Sequence, residues 1–328
     1  MSRALGLLVG VLADCVLGDP RRFHPVAGFG QVAASLEQRA YADDRLRGAA
    51  YAGVLVGATT ALGLVLEHRT RHHPVTHTLA TAAVTWAVLG GRSLDREAAA
   101  VGILLEGDLP GARRRLTHLV GRDTSRLDEG EVARAVVESL AENTSDAVVA
   151  PLVLGALGGM PALLGHRAAN TLDAMVGHRS RRYRRFGWAS ARLDDVLNLP
   201  GSRVSAALAV VLGGDPAAAW TTWRRDAPGH PSPNAGPVEA AFAGSLGVRL
   251  GGRNVYGTAV DPHVEHRAVL GTGRPAVPAD IARARALATR VDAGATALAV
   301  AVALLTGRLL TGRLLAGRRP TRRRQPAR

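Results

Sequence analysis

The sequence predicts an all-α, multi-pass helical membrane protein whose polar helical and loop regions form an active site at the membrane boundary. Three observations carry this. The stretches AAYAGVLVGATTALGLVL, Ala49 to Leu66, and PVTHTLATAAVTWAVLGG, Pro74 to Gly91, hold no formally charged residue. Each approaches the roughly 18–20 apolar residues that cross a bilayer. Hydrophobic residues are 47% of the chain and aromatics only 4%, so the apolar mass is Ala, Val, Leu and Gly, which lets membrane helices approach closely. Finally, ENTSDAVVAPLVLGALGGMPALLG, from Glu142 to Gly165, gathers its carboxylates, amide and hydroxyls at one end and continues without a charge. A soluble helix spreads polarity along one face; polarity at one end marks a boundary between media.

Taken in order, Ala4 to Leu17 is an apolar run interrupted by Asp14, with no cleavage pattern of a signal peptide behind it. It holds Cys15, the one cysteine, which excludes an internal disulfide or thiolate zinc cage and reads as a packing residue. The spans at 49–66 and 74–91 form a hairpin across the polar turn from Glu67 to His73. Residues 92–146 and 166–203 read as polar helical regions, with Asp128 and Glu131 capping LDEGEVARAVVESLAEN. The run at 147–165 is broken by Pro151, Pro161, Gly155, Gly158 and Gly159, so it is expected to be re-entrant or sheltered by protein. Asp215-Pro216 interrupts a further run at 204–220, and 226–280 reads as a Pro/Gly-rich loop region. The third span, 293–310, precedes an arginine-dense tail that the positive-inside rule places in the cytoplasm. One integral membrane domain is expected over 1–317, with a basic disordered tail at 318–328.

The charge narrows the chemistry. Net charge is +14 and every basic side chain other than histidine is arginine. Without lysine there is no Walker A site, pyridoxal Schiff base or kinase strand lysine. Nucleic-acid modules are missing and stacking aromatics scarce, so the basicity suits an anionic membrane surface or anionic substrate.

Four polar clusters remain: LGDPRRFHPVAGFGQ with Asp19 and His24; Glu142, Asn143, Ser145 and Asp146; the stretch from Asn170 to Asp195; and GHPSPNAG at 229–236. Each alone has a plain structural reading as a turn, a solvated acidic pair or an inner-face arginine anchor. Together they combine hard oxygen donors, which suit Mg²⁺ rather than zinc, with arginines able to grip phosphate in a bidentate manner. Glu142 and Asp146 share one helix face, as do Asn170 and Asp173.

The stretches GDPRRFHPVAGFG, ENTSDAVVAPL, NTLDAMVGHRSRRYRRFGWASARLDDVLN, HPSPNAGPVEAAFAGSLGVRLGG and RPAVPADIARA resemble, in this order, the CobD/CbiB family of adenosylcobinamide-phosphate synthases. That resemblance implies ATP-dependent amide formation between aminopropanol, or its phosphate, and a propionate of adenosylcobyric acid, with ATP and Mg²⁺ as cofactors. The candidate residues are Glu142, Asp146, Asp173 and His24 for catalysis, and Asn143, Asn170, Arg179, Arg192, Ser232 and Asn234 for substrate. Asp173, Asp194 and Asp195 are the candidates for Mg²⁺. Expected partners are the corrinoid, the amine donor and membrane lipid, with homo-oligomerisation an option and no nucleic acid. The site loops and C-terminus are expected on the cytoplasmic face of the cell membrane. The alternatives are a Mg²⁺-dependent membrane prenyl or phosphatidyl transferase, and a non-enzymatic transporter or signalling protein.

Overall fold

A computed structural model describes residues 1–20, 24–178, 180–257 and 262–316. It is a helical bundle with four helices long and apolar enough to cross a membrane: Arg45–Thr70, Glu129–Val176, Trp188–Leu212 and Ala279–Thr306. The expected span at 74–91 is a helix of 15 residues that ends at Val88, short of that length.

Helices α1 (Ser2–Leu17), α2 (Pro25–Ala40), α3 (Arg45–Thr70) and α4 (Pro74–Val88) open the chain. Helices α1 and α4 run side by side because Gly6 and Gly10 lack side chains. A Cβ at Gly6 would stand 2.5 Å from Thr81 Cβ, and one at Gly10 2.4 Å from Thr85 Cβ. This is the small-residue packing that membrane helices use. Cys15 is exposed on the flank of α1, not packed as expected, because the partner contacts of α1 follow the Gly6–Gly10 face.

Next come α5 (Gly91–Leu104), α6 (Leu109–Leu116) and α7 (Glu129–Thr144). Asp128 and Glu131 start α7 with reciprocal side-chain to backbone bonds of 2.8 and 3.0 Å, a capping box. A π-helical turn, Ser145–Val149, leads into α8 (Ala150–Val176). Gly159 breaks α8 with φ 70° and ψ −153°, a conformation open to glycine alone. The chain reverses there: a Cβ on Gly155 would meet Leu163 Cδ2 at 2.7 Å, and Asp173 returns into the field of Asp146. The tip is pinned by Glu67, which accepts from Met160 N at 3.1 Å and from Arg3 at 3.0 Å.

Beyond α9 (Tyr183–Phe186), helix α10 (Trp188–Leu212) crosses the open end of this hairpin. Asn198 bonds His166 at 2.8 Å; Gly201 lies against Ala150, and Leu208 and Leu212 reach Gly294. Gly213 and Gly214 separate α10 from α11 (Pro216–Asp226), so the apolar run expected at 204–220 is divided between two helices. Helix α12 (Ala235–Leu246) is buried on every side and ends at Gly247, φ 66°, a left-handed C-cap.

The region expected as loop, 226–280, holds a small sheet as well. Strands β1 (Val248–Gly257) and β2 (Pro262–Leu270) pair antiparallel, and β3 (Arg274–Pro275) lies parallel to β1 on its other edge. Gly251 and Gly252, at φ 79° and 91°, form a bulge that interrupts the alternation a strand normally shows.

Helix α13 (Ala279–Ala316) runs antiparallel to α1. Asp14 and Asp292 meet at one end of the shared contact, while Leu8 and Val300 lie toward the other. The C-terminal half of α13 therefore heads toward Arg3 and Glu67, away from Asp146. The tail expected to be disordered, 318–328, lies outside the described residues.

Candidate active site

Helix α7 points Glu138, Glu142 and Asp146 to one side at successive turns. Glu138 is closed off: Arg122 donates at 2.6 Å, Arg134 at 3.0 Å and Gly251 N–H at 2.8 Å. The next two carboxylates differ. Glu142 and Asp146 are half-buried and, with Asp173 from the returning limb of α8, accept no hydrogen bond among the described residues. Their neighbours are charges: Glu142 sees Arg267, Glu138 and Asp173, while Asp146 sees Glu142, Asp194, Asp173 and Arg167. Asp146 lies within the π turn, a local widening frequently found at functional sites. Two residues on, Pro151 has no N–H for a regular ladder.

Asp173 is shaped by Gly177. A Cβ there would lie 1.8 Å from Asp173 Oδ1, so only glycine leaves the carboxylate its place. Gly177 itself has φ −73°, which alanine adopts freely. In Gly177→Ala the added Cβ would also stand 2.7 Å from the Asp173 carbonyl oxygen, so the thermal midpoint should fall somewhat while the helical fold is kept. The variant's turnover should fall as far as that of an Asp173 variant. Full activity in this variant would remove Asp173 from the machinery.

Across from these, Asp194 is buried and accepts from Asn170 Nδ2 at 3.3 Å. Asp195 pairs with Arg192 at 3.4 Å, and its carbonyl accepts from Asn234 Nδ2 at 2.8 Å. Asn234 also accepts from Ser202 Oγ and Arg203 Nη1, each at 3.0 Å, and Ser232 Oγ accepts the N–H groups of Asn234 and Ala235. Both residues, expected at substrate, use these polar atoms to fasten the loop to α10 and to start α12. Asn143 similarly donates back to Ser139 on its own helix. His24 accepts from Val26 N–H at the start of α2 and faces Asp19 at 3.6 Å. This pair reaches the carboxylates through Arg167, which senses both Asp19 and Asp146. Arg179 lies outside the described residues.

Three groups that sequence reasoning passed over complete the wall. Glu239 on α12 is fully buried with both oxygens unpartnered, and His230 Nε2 approaches it to 3.8 Å. Burial, reinforced by Glu138 and Glu142, pushes the Glu239 carboxyl well above the ordinary glutamate range. Burial also lowers His230. Burial opposes the charge of Arg267 on β2, but Tyr256, Glu239, Glu265 and Glu142 together hold its pKa above the usual arginine value. The available signal was a single acid in the otherwise uncharged run AGPVEAAFAGSLG.

On the other side of His230 lies a recess of about 630 Å³ whose cations are Arg192, Arg203 and Arg224, with Trp223 in its wall. Arg224 and Arg203 were not among the expected residues. His230 lines this recess and also approaches Glu239, whose neighbours include Glu142. Among the described residues no three His, Cys, Asp or Glu side chains are gathered tightly enough to hold a metal by themselves.

A family model described as CobD/Cbib protein matches residues 7–288. The chain belongs to the CobD/Cbib family. Curated relatives called cobalamin biosynthesis protein CobD accompany that match. The one from Mycobacterium tuberculosis is 52% identical over 305 residues, covering 91% of this chain and 95% of its own. Those from Chromobacterium violaceum and Rhodobacter capsulatus are 42% and 41% identical over 317 residues, each covering 99% of the relative and 94% and 93% of this chain. No solved structure matches.

Proposed function

We propose that this CobD/Cbib protein acts in cobalamin biosynthesis as an acid–amine ligase of the cell membrane. It joins aminopropanol, or its phosphate, to the propionate of adenosylcobyric acid at the expense of ATP. The observation that carries the reading is the convergence of Glu142, Asp146 and Asp173, carboxylates without hydrogen bonds among the described residues, in a chain that also holds an arginine recess at Arg192, Arg203 and Arg224. The names of the relatives supply the pathway.

The propionate oxygen attacks the terminal phosphorus of ATP, and ADP leaves, giving an acyl phosphate. The amine nitrogen then attacks the acyl carbon, and phosphate departs with the C–O electron pair. The attacking ammonium must first lose a proton, and Glu239, whose burial raises its proton affinity, is suited to receive it. Arg192, Arg203 and Arg224 hold phosphate oxygens. The donor set fits Mg²⁺ brought in on phosphate, since that ion takes one or two carboxylates with phosphate and water rather than an all-protein cage. One or two of Asp146, Asp173 and Asp194 would hold it together with phosphate oxygens, and it would neutralise phosphate charge. Asp195 remains on the same helix turn as Asp194, occupied with Arg192.

Purified protein in detergent, given adenosylcobyric acid, ATP, Mg²⁺ and either amine, should yield an amidated corrinoid detectable by mass. Absence of product with both amines would overturn the reading. In the same assay Arg192→Lys should lose nearly as much as Arg192→Ala, with KM for the phosphate-bearing substrate rising about 10–100-fold, because one charged hydrogen bond contributes roughly 1.5–3 kcal/mol. Full rescue by lysine would show that charge alone suffices.

A further inference from the structure

A second cavity, of about 550 Å³, lies between α1, the start of α5 and α13. The π turn separates it from the carboxylate site: Val148 lines this cavity, whereas Asp146 faces the other way. At its polar end two acids converge on Gly91. A Cβ there would lie 3.2 Å from Asp14 Oδ2 and 3.7 Å from Asp292 Oδ2.

Asp14 has a structural task, since its Oδ2 accepts from Arg92 N–H at 3.2 Å and so caps α5. That task uses one oxygen. Asp14 is 3% exposed, and its Oδ1, like Oδ1 of Asp292, is buried with no partner. A buried carboxylate oxygen without a partner is unfavourable, and both of these acids line the cavity. Beside them Arg92 is loosely held. Asp95 is already gripped by Arg285 at 2.7 and 2.9 Å, leaving Arg92 a 3.9 Å contact and half of its surface exposed.

The other end is apolar, built from Leu8, Leu12 and Val300. Leu8 and Leu12 are among the exposed large hydrophobics of α1, which continue along the same helix at Leu5 and Val9. A polar pocket with paired acids and a free guanidinium thus opens onto an exposed apolar flank of a bundle built of membrane-length helices. We propose that this cavity binds the headgroup of a membrane aminophospholipid. The ammonium lies between Asp14 and Asp292, the phosphate at Arg92, and the first methylenes of an acyl chain along Leu8, Leu12 and Val300. A primary ammonium offers three N–H donors to the two carboxylates. A choline headgroup has no N–H, and a glycerol headgroup has no cation. The cavity volume falls in the range of about 300–1,000 Å³ typical of small-molecule sites.

The test is thermal unfolding of the delipidated full chain in detergent with added phosphatidylethanolamine, phosphatidylcholine, phosphatidylglycerol or soluble phosphoethanolamine. Phosphatidylethanolamine alone should raise the midpoint, on the order of 5 °C at saturation. Asp14→Asn with Asp292→Asn should lose that rise. Asparagine keeps the cap on α5 while removing the charges. If the double variant fails to fold, Ala297→Trp, which fills the cavity from its exposed side, should lose the rise instead. Equal effects of all three lipids would overturn the proposal. So would an unchanged rise in either variant, or an equal rise with phosphoethanolamine, which would assign the cavity to a soluble amine.

Discussion

Asp146→Asn and Asp173→Asn are each expected to lower amide formation by about 10²–10³-fold, the range found when one electrostatic contact to a developing charge is removed. Neither should lower the thermal midpoint. Glu142, Asp146 and Asp173 face one another with no hydrogen bond to offset their repulsion. At an effective dielectric near 20, like charges a few ångströms apart repel by a few kcal/mol. Replacing one carboxylate by the isosteric amide relieves that repulsion, so the variants should unfold at the parent temperature or above it. The two readouts move in opposite directions, as expected for acids kept for chemistry at a cost in stability. A structural role would make them move together, as Glu138→Gln should, since Glu138 is the hub of Arg122, Arg134 and Gly251. Near-normal turnover in both aspartate variants would remove these residues from the site.

The polar lip at 142–146 was legible because composition changes there and helical spacing puts Glu142 and Asp146 on one face. The break near Gly159 was legible too, since Gly158, Gly159 and Pro161 cannot continue a regular helix together. The sharpness of the reversal was not: it depends on Glu67, on a different helix, accepting from Met160 N–H. Glu239 escaped notice because a lone acid in an apolar run has no local partner to give it meaning. Its partners, His230, Glu142 and Arg267, come from three other elements. The hydrogen bonds by which Ser232 and Asn234 fasten their loop were not legible, since a loop rich in hydrogen-bonding side chains looks the same whether they face a ligand or their own backbone. The hairpin holding Arg267 was hidden by glycines whose bulge disturbs the alternation of β1.

Cysteines placed at Ser125 and Ser180 should be reached by an impermeant thiol reagent only in inverted vesicles, and a cysteine at His72 only in intact cells. Cys15 is exposed, so the three belong in a Cys15→Ser background; all three positions are themselves exposed. Ser125 precedes α7 and Ser180 follows α8, and the reversal at Gly159 returns the chain to the end it left. His72 lies in the turn between α3 and α4, beside the Glu67 that pins the tip of the reversal. The nucleotide of the proposed reaction is cytoplasmic, which fixes the carboxylate end inside. The arginines agree: Arg92, Arg96, Arg113, Arg114, Arg115 and Arg122 follow α4 at the carboxylate end, against Arg3, Arg69 and Arg71 at the other. The described part of α13 heads toward the Glu67 end, so arginines that follow it act against this bias. The positive-inside bias acts most strongly through short loops between spans, so the loops should prevail over the tail. Labelling of Ser125 and Ser180 from opposite faces would end the re-entrant architecture. Labelling of all three positions with the faces exchanged would keep the architecture and place the carboxylates outside, which the ATP-dependent reaction does not survive.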